Sequence, residues 1–391
     1  MKRYLILVFV LIIHTLKLGS QTTLKYDYGT ILSTDGYSQN NLNRTQYLAD
    51  GENSIYLIVF SSTNQLKVTH INYKINKSKT YQIEIPKRHH RKYFQNFDPV
   101  FTLQNDTIIG KYGDNILMFS KNKNAEFEFL DVISFENKTG TKITSNNQHY
   151  IAYGIYNYHR KSDHKKSSII LKDKSTLKET IYEPKFDFPE YTILAPTHYI
   201  SILNNIYAVS QSIDYKIHFY NEKFKLKDSI VYNNSDVFPL LDKEEVKKYE
   251  GKEIVESNPK AFISDFQTLL TKGSRIWNIQ LLDTSTIFVR FSVPDGKRFK
   301  IRDQVWHYNE DSWSIINNVD QSTYKKDTII DSSNAWPLWY TGTNMTVHAG
   351  KLYYFIWSSS EDLIDVKMNK VFEKDMSQEK LKLKLMIFSV Q

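Results

Sequence analysis

A polar turn followed by a short, strongly apolar run recurs along the chain. Six copies occur, roughly 40 to 80 residues apart, and each run opens on an apolar or aromatic pair. Runs of β-branched and aromatic residues between turn signals are typical of β-strands, so the pattern predicts six related β-units. The pairs are Ile55-Tyr56, Ile108-Ile109, Tyr150-Ile151, Ile206-Tyr207, Ile287-Phe288 and Leu352-Tyr353.

Further strand-like segments follow each run. After the first run come LKVTHINYKI and KTYQIEI, and after the sixth come LIDVKMNKVF and LKLKLMIFSV. Sandwiches, barrels and propellers all use short strands, but a repeated turn, buried strand, alternating strand and edge strand favours propeller blades. The predicted fold is all-β: a six-bladed β-propeller of four-stranded antiparallel blades, with five or seven blades as alternatives. TLKYDYGTIL near the N-terminus is expected to pair with LKLKLMIFSV, which would leave few exposed strand edges.

Residues 234–262 interrupt the repeat. Within them LDKEEVKKYEG predicts a short helix, with Asp242 as N-cap, Glu245 as its capping-box partner and Gly251 as the C-terminal stop. The segment is too short for a core of its own. We therefore expect an inserted helix on the propeller surface rather than a separate domain.

The N-terminus has the features of a secretory signal peptide. A basic start, MKR, precedes an apolar run at residues 4–13, and Gly19 and Ser20 are small residues suited to cleavage after Ser20. Residues 1–20 are therefore predicted to be a signal peptide, and 21–391 a single propeller domain that is periplasmic, on the cell surface or secreted. An uncleaved anchor is the alternative. No later stretch is apolar for long enough to span a bilayer.

Composition removes several classes of chemistry. The chain of 391 residues contains no cysteine, which excludes disulfides, thiolate metal sites, cysteine nucleophiles and thiol redox chemistry. The formal net charge of +8 falls to about +5 once the three cations of the signal peptide are removed. A charge this small supports binding to an anionic surface or glycan only where it is clustered.

No standard nucleotide-binding or hydrolytic motif is present. The sequence has no GxGxxG, P-loop, GxSxG, HExxH or EF-hand pattern, and no cofactor is expected. Propeller enzymes assemble their sites from separate blades, so a polysaccharide hydrolase or lyase with its site at the channel mouth stays as an alternative. No acid and base pair can be assigned among the loop carboxylates Asp35, Asp98, Asp163, Asp187 and Glu190.

KRHHRK, residues 87–92, is the densest cluster of cations. Its adjacent histidines, His89 and His90, would point to opposite faces of a strand, which disfavours a shared metal ion. The aromatic neighbours Tyr93 and Phe94 could stack on nucleic-acid bases. An exported protein, however, is not imported into a nucleus and encounters little nucleic acid. We therefore expect neither a metal nor a nucleic-acid partner, and a solvated connector is the simplest interpretation.

Two further loops have candidate chemistry. HRKSDHKK, residues 159–166, contains histidine and aspartate, which are ligand types for a divalent ion, although a solvated hairpin tip is favoured. SSNAWPLWYTGTN, residues 332–344, holds three aromatic rings. Such rings stack on sugar faces while their polar edges meet water, or they pack the loop onto the blades.

The fourth unit resembles a known family. Its segment NNIYAVS…YKIHFYNEKFKLKDSIV, with the Ile206-Tyr207 strand and the chain-reversing FKLKDSI, is similar to six-bladed β-propeller proteins exported by Bacteroidetes-type bacteria. The resemblance covers most of the chain as a weak pattern, and its motifs are structural. It implies the fold and an extracytoplasmic location.

Blade topology brings the candidate loops to one end of the propeller. In a four-stranded antiparallel blade, the loops between the second and third strands and the connections between blades emerge together. The basic loops 87–92, 159–166 and 294–302, the aromatic loop and the insertion are all expected there. The predicted ligand-binding residues are Lys87, Arg88, His89, Arg91, Lys92, His159, Arg160, His164, Lys297, Arg298, Trp336, Trp339 and Tyr340.

These residues favour a binding or scaffold protein. We expect a monomer that recognises an anionic glycan or a protein partner through this face. An enzyme would instead place a buried carboxylate, histidine or tyrosine with a shifted pKa at the channel mouth. A structural partner in the envelope would show a large apolar patch in place of the basic one.

Overall fold

The described part of the chain is almost entirely β-structure. The computed structural model describes residues 24–32, 45–50, 53–62, 64–90, 101–112, 115–123, 126–136, 142–153, 169–182, 184, 199–211, 213–242, 244–245, 272–295, 298–318, 328–331, 345–358 and 382–390. These residues form six antiparallel sheets and one 3-10 turn at Lys87–His89.

Strand β1 (Leu24–Leu32) begins the described chain. The first three blades then follow in order, each with four strands. Blade 1 consists of β2 (Gln46–Asp50), β3 (Ser54–Ser62), β4 (Gln65–Asn72) and β5 (Lys77–Glu84). Blade 2 consists of β6 (Phe101–Gln104), β7 (Thr107–Tyr112), β8 (Asn115–Lys121) and β9 (Phe127–Ser134). Blade 3 consists of β10 (Lys142–Ser145), β11 (His149–Tyr153), β12 (Ile169–Asp173) and β13 (Glu179–Tyr182).

The remaining blades repeat this order, with two variations. Blade 4 consists of β14 (Tyr199–Leu203), β15 (Ile206–Ser210), β16 (Lys216–Tyr220) and β17 (Leu226–Val231). Blade 5 consists of β18 (Arg275–Leu281), β19 (Thr286–Asp295), β20 (Arg298–Asn309) and β21 (Ser312–Asn318), and β22 (Thr328–Asp331) also pairs with β20. Blade 6 consists of β23 (Met345–His348), β24 (Lys351–Ser358), β25 (Lys382–Val390) and β1. The predicted six-bladed propeller of four-stranded antiparallel blades is confirmed.

Six hydrophobic cores lie between neighbouring blades and close the ring. Ile58 of blade 1 shares one core with Phe119 of blade 2. Between the last blade and the first, the rings of Phe355 and Tyr47 stack with their centroids 4.5 Å apart. The first strand of each blade is the innermost, and β2 lies beside both β6 and β23. Each blade is therefore stabilised by burial against two neighbours.

The predicted pairing of the two chain ends is confirmed. Strand β1 is antiparallel to β25, in a register that runs from Leu24 opposite Val390 to Leu32 opposite Leu383. A side-chain hydrogen bond from Ser389 Oγ to Asp27 Oδ1, 2.7 Å long, ties the same two strands. The predicted strand LIDVKMNKVF lies outside the described residues, and the four places in blade 6 are filled by other strands.

The repeated pair at the start of each run has a structural explanation. The second residue of the pair is buried, and in blades 1 and 4 it is a tyrosine whose hydroxyl binds a polar turn. Tyr56 donates to Asp50 Oδ2 at 2.5 Å within its own blade. Tyr207 accepts from Asn146 Nδ2 of blade 3 at 2.7 Å. A buried hydroxyl needs such a partner, so the polar turn and the tyrosine recur together.

The insertion leaves and re-enters the propeller at one point between β17 and β18. The backbone N–H of Ser274 donates to the carbonyl of Pro239 at 2.7 Å, and Leu241 packs directly against Gly273. Asp242 Oδ1 accepts from the N–H of Glu244 at 2.8 Å, as an N-cap does. The carboxylate of Glu245 binds Lys272 Nζ at 2.9 Å. The remainder of the predicted helix lies outside the described residues and stays a prediction.

The N-terminal segment predicted to be a signal peptide also lies outside the described residues. Within the part of the chain that the structure describes, no helix has the length and apolar character needed to cross a membrane.

Candidate functional site

Because neighbouring strands run in opposite directions, the loops emerge at two opposite ends of the propeller. We call one end the connector face: it carries the connections between blades and the loops between second and third strands. The other end, the turn face, carries the remaining turns. The innermost strands all begin at the connector face, with Gln46, Phe101, Lys142, Tyr199, Arg275 and Met345 as their first residues. The described part of the first basic loop, residues 87–90, follows β5 at this face, and the placement of the other two basic loops here stays a prediction.

The first basic loop forms a short turn directly after β5. Lys87 and Arg88 are exposed. Arg88 Nε donates to Nε2 of His89 at 2.9 Å, and the His89 ring lies 5.6 Å from the ring of Phe129 in blade 2. His90 Nε2 lies 2.6 Å from the carbonyl oxygen of Ile85. Both histidines therefore support the loop, which leaves the two exposed cations as the groups available to a partner.

Among the described residues, no three His, Asp or Glu side chains are grouped as metal ligands. Arg298 is described only by its backbone, which pairs with Asp295 and Asp331 at the open end of blade 5. Convergence of the basic loops stays a prediction, because the other predicted site residues lie outside the described chain. They are Arg91, Lys92, His159, Arg160, His164, Lys297, Trp336, Trp339 and Tyr340.

The structure adds a polar cluster that the sequence did not indicate. At the connector end of blade 3, Lys142 pairs with Tyr153 across β10 and β11. At the same level of blade 4, Tyr199 pairs with Ser210. In blade 5 the corresponding pair is Arg275 and Ser292. Three consecutive blades therefore end in two cations and two tyrosines, which we call the end-rung cluster: Lys142, Tyr153, Tyr199 and Arg275.

Direct contacts join the members of this cluster. Lys142 Nζ lies 4.0 Å from the centre of the Tyr199 ring, a cation–π contact between blades 3 and 4. Burial raises the pKa of both tyrosine hydroxyls, and Tyr199 raises that of Tyr153 further. Arg275 opposes the effect at Tyr199 through its positive charge. Both hydroxyls therefore stay protonated and uncharged at physiological pH.

Blades 1 and 2 end differently at this face. The side-chain amide of Gln46 binds both backbone groups of Phe101, donating from Nε2 to the carbonyl at 2.6 Å and accepting from the N–H. This pair of hydrogen bonds links the inner strands of blades 1 and 2. At the connector face, the charged first residues of the described inner strands are Lys142 of blade 3 and Arg275 of blade 5.

A second ionisable cluster lies on the turn face between blades 1 and 2. Lys121 Nζ binds Asp50 Oδ2 at 3.1 Å and Asp106 Oδ1 at 2.8 Å, while Tyr56 also donates to Asp50. Burial would raise the pKa of Asp50, but the hydrogen bonds from Tyr56 and Lys121 outweigh it and hold that pKa below its usual value. Burial and the Lys121 charge lower the pKa of His70. The carboxylates and the ammonium bind one another, which is typical of a structural network.

Exposed apolar side chains are distributed over several blades. Leu130, Ile181 and Leu226 lie on the outer strands of blades 2, 3 and 4, while Ile75 and Leu177 lie in turns of blades 1 and 3.

Comparison with known proteins bears on the fold alone. No protein-family model and no curated protein matches the chain. Solved structures similar to it include a protein of unknown function from Bacteroides caccae, with 12% identity over 78% of this chain and 84% of that chain at a TM-score of 0.38. A functionally unknown protein from Desulfotomaculum acetoxidans has 10% identity over 78% and 89%, at a TM-score of 0.39. The β-propeller domain of Nup133 from Vanderwaltozyma polyspora has 12% identity over 89% and 82%, at a TM-score of 0.36.

Membership of an exported Bacteroidetes-type family stays a prediction. The end-rung cluster escaped the sequence analysis because its members are the first or last residues of short strands. Lys142 begins the four-residue strand KITS, which lacks the apolar alternation by which strands are recognised. Each inner strand directly precedes the polar turn of its blade, so predicting a short strand before each turn would have placed Lys142, Tyr199 and Arg275 at strand ends.

Proposed function

We propose that this chain is an extracytoplasmic β-propeller binding protein whose connector face recognises an anionic glycan or protein partner. The observation that carries the proposal is the end-rung cluster, in which Lys142 and Arg275 lie on the blades to either side of Tyr199. The exposed Lys87 and Arg88 belong to the same face. The sequence features of a signal peptide support the extracytoplasmic location.

Binding fits the cluster better than catalysis does. Glycoside hydrolysis requires a pair of carboxyl groups, one acting as an acid. The end-rung cluster consists of two cations and two neutral tyrosines, with Ser210 and Ser292 as their paired residues. Positive charge next to hydrogen-bond donors attracts and orients an anion, and this requires no proton transfer.

The test compares matched charge deletions on the two faces. Lys87→Ala with Arg88→Ala removes two cations from the connector face. Lys223→Ala with Lys225→Ala removes two exposed cations from the turn face, in the loop between β16 and β17. Affinity for heparin and for polygalacturonate, with neutral dextran as reference, is measured at several salt concentrations.

We expect the connector-face variant to bind both polyanions more weakly and with a shallower salt dependence. The turn-face variant should behave like the unchanged protein. Equal behaviour of the two variants, or binding of dextran as tight as that of the polyanions, would contradict the proposal.

A further inference from the structure

The outer strands of blades 1 and 2 carry charges of opposite sign. Residues 74–88, which include β5, hold five cations and one carboxylate, while residues 126–136, which include β9, hold four carboxylates and no cation. All of these charged side chains are exposed: Lys74, Lys77, Lys79, Glu84, Lys87, Arg88, Glu126, Glu128, Asp131 and Glu136. A basic strand edge therefore lies next to an acidic one.

The two edges form one continuous surface, which we call the edge pair: β5 together with β9. Towards the turn face, Lys79 Nζ lies 3.2 Å from Oε1 of Glu126. Towards the connector face, the ring of His89 lies 5.6 Å from that of Phe129. Both strands are the outermost of their blades, so they run in the same direction, from the turn face to the connector face.

An apolar side chain interrupts the acidic edge. A β-bulge separates two register pairs, Phe129 with Phe119 and Asp131 with Met118, which leaves Leu130 without a register partner on β8. The leucine is 54% exposed. It adds apolar contact area to an edge that is otherwise charged.

Charge of one sign protects a strand edge only against a like edge. The lysines of β5 repel the β5 of a second copy, and the carboxylates of β9 repel a second β9. Neither prevents β5 of one copy from approaching β9 of another, because those edges attract each other. A polyanion along β5 would instead lie beside the carboxylates of β9, so a partner of uniform charge fits the surface poorly.

We propose that the edge pair is a self-association surface through which two copies of this chain form a weak dimer, in place of the monomer expected from the sequence. A two-fold axis parallel to the strands places β5 of each copy opposite β9 of the other, so the same surface serves both partners. A two-fold axis running across the strands would bring like charges together. The sign of the two edges therefore selects the first arrangement.

The size of the surface sets the strength of the association. Each copy offers two strands of eight residues. At about 3.3 Å per residue they give a patch on the order of 500 Å² per copy, at the low end of specific interfaces. Attraction between exposed charges is also screened by salt. We therefore expect a dimer that forms at low ionic strength and dissociates at high ionic strength.

This arrangement has a consequence for binding. A two-fold axis parallel to the propeller axis keeps both connector faces on the same side of the dimer. The dimer would then present two copies of the anion-binding face to one polymer, which raises the effective affinity. That consequence rests on the proposed function, whereas the dimer itself does not.

The experiment is sedimentation velocity on the protein without ligand, at about 20 mM and about 500 mM NaCl, where charges interact over about 20 Å and about 4 Å respectively. The concentration series extends to about 0.5 mM, the range suited to a weak interface. We expect a monomer–dimer equilibrium at low salt, with a dissociation constant that rises at least about tenfold at high salt.

Charge reversal tests which edges meet. Lys77→Glu with Lys79→Glu makes both edges acidic towards the turn face, and Glu126→Lys with Glu128→Lys makes both basic there. Each variant alone should be monomeric at low salt, because like charges then face each other. An equal mixture of the two should recover the dimer, since every reversed edge again meets its opposite.

Two controls accompany these variants. Lys223→Glu with Lys225→Glu makes the same change of charge in the exposed loop between β16 and β17 of blade 4, on the opposite side of the ring, and should leave the dimer unchanged. Thermal midpoints of all the variants should stay close to that of the unchanged protein, because the substituted side chains are exposed.

Several outcomes would overturn the proposal. They are a monomer throughout the series at low salt, a dimer that persists in either edge variant, equal weakening by the blade 4 control, and a mixture of the two edge variants that stays monomeric. Assemblies that grow beyond the dimer would replace the two-fold arrangement by an open chain of copies. None of these outcomes bears on anion binding by the connector face, because no ligand is present.

Discussion

The guanidinium group of Arg290 and the carboxylate of Asp303 form a buried, two-point ion pair within blade 5. Nε lies 2.7 Å from Oδ1 and Nη2 lies 2.5 Å from Oδ2, and each residue is 2% exposed. The guanidinium carbon also lies 4.8 Å from the centre of the Tyr354 ring in blade 6. The pair therefore holds one blade together and contacts the next.

Removing one partner of this pair should be costly. Asp303→Asn would leave a buried guanidinium without its counter-charge, and we expect a loss of about 3–5 kcal/mol in the free energy of unfolding. Urea denaturation followed by tryptophan fluorescence measures it. The control is Lys79→Ala, which breaks an ion pair with Glu126 in which the side chains are 57% and 50% exposed. Because solvent screens this pair, its loss should be far smaller than that caused by Asp303→Asn. Similar losses for the two variants would contradict the prediction.

The turn-face network should make stability depend on pH in the acid range. The pKa of Asp50 is held below its usual value of 3.8, so the carboxylate stabilises the fold above that pH. This contribution is lost as pH falls through the folded-state pKa. Asp50→Asn should therefore lower the urea midpoint at pH 7, and the difference from the unchanged protein should shrink below pH 3.8.

Asp106→Asn provides the matched control for that measurement. Asp106 binds the same Lys121 ammonium, but its side chain is 66% exposed, against 30% for Asp50. Solvent screens the exposed pair, so this variant should change the midpoint less at pH 7. A larger effect from Asp106 than from Asp50 would show that the partly buried hydrogen bond from Tyr56 contributes little.

Gly110 should not tolerate a side chain. A Cβ atom at this position in β7 would lie 2.5 Å from Cδ1 of Phe101, the residue opposite it on the inner strand. Gly110→Ala should destabilise blade 2 by about 1–3 kcal/mol through overpacking. Combining it with Phe101→Leu should recover part of the loss relative to Phe101→Leu alone, because the smaller side chain leaves room. A double mutant with fully additive losses would contradict a direct clash.

Replacing residues 246–271 by a short Gly-Ser linker should leave the propeller folded. The hydrogen bond from Ser274 to Pro239 and the packing of Leu241 on Gly273 hold the two ends of the insertion together without it. We expect the thermal midpoint to change by a few degrees at most, about the effect of 1 kcal/mol in a chain of this size. Loss of cooperative unfolding in the shortened chain would show that the insertion is part of the fold.

The sequence predicted the second, third and fourth strands of the blades far better than the first. Runs such as SIYLIVF are long and apolar because both of their faces are buried between blades. Inner strands such as FTLQ and KITS have only four residues, with one or two apolar side chains. The hydrophobic periodicity of such short strands is no stronger than that of a loop.

The candidate site could not be predicted from the sequence, because most of its residues lie on the inner strands. Lys142, Tyr199 and Arg275 are far apart in the chain, and only the register of three blades places them at one level. Burial of Ser210 and Ser292 likewise depends on packing between blades. The basic loops were visible because charge clusters are local in sequence, whereas a site built from separate strands is not.

Pairing of β1 with β25 also sets the order of events when the protein is made. Asp27 and Ser389 are hydrogen-bonded across 362 positions of sequence, so β1 emerges from the ribosome long before its partner strand β25. Blades 1 to 5 are each completed by neighbouring segments, while blade 6 is incomplete until residues 382–390 have left the ribosome. Closing so long a loop is slow, because its entropy is lost before the final contacts form. A nascent chain therefore carries an open row of blades with one core unfilled at each end, and the ring closes only after β25 has been synthesised.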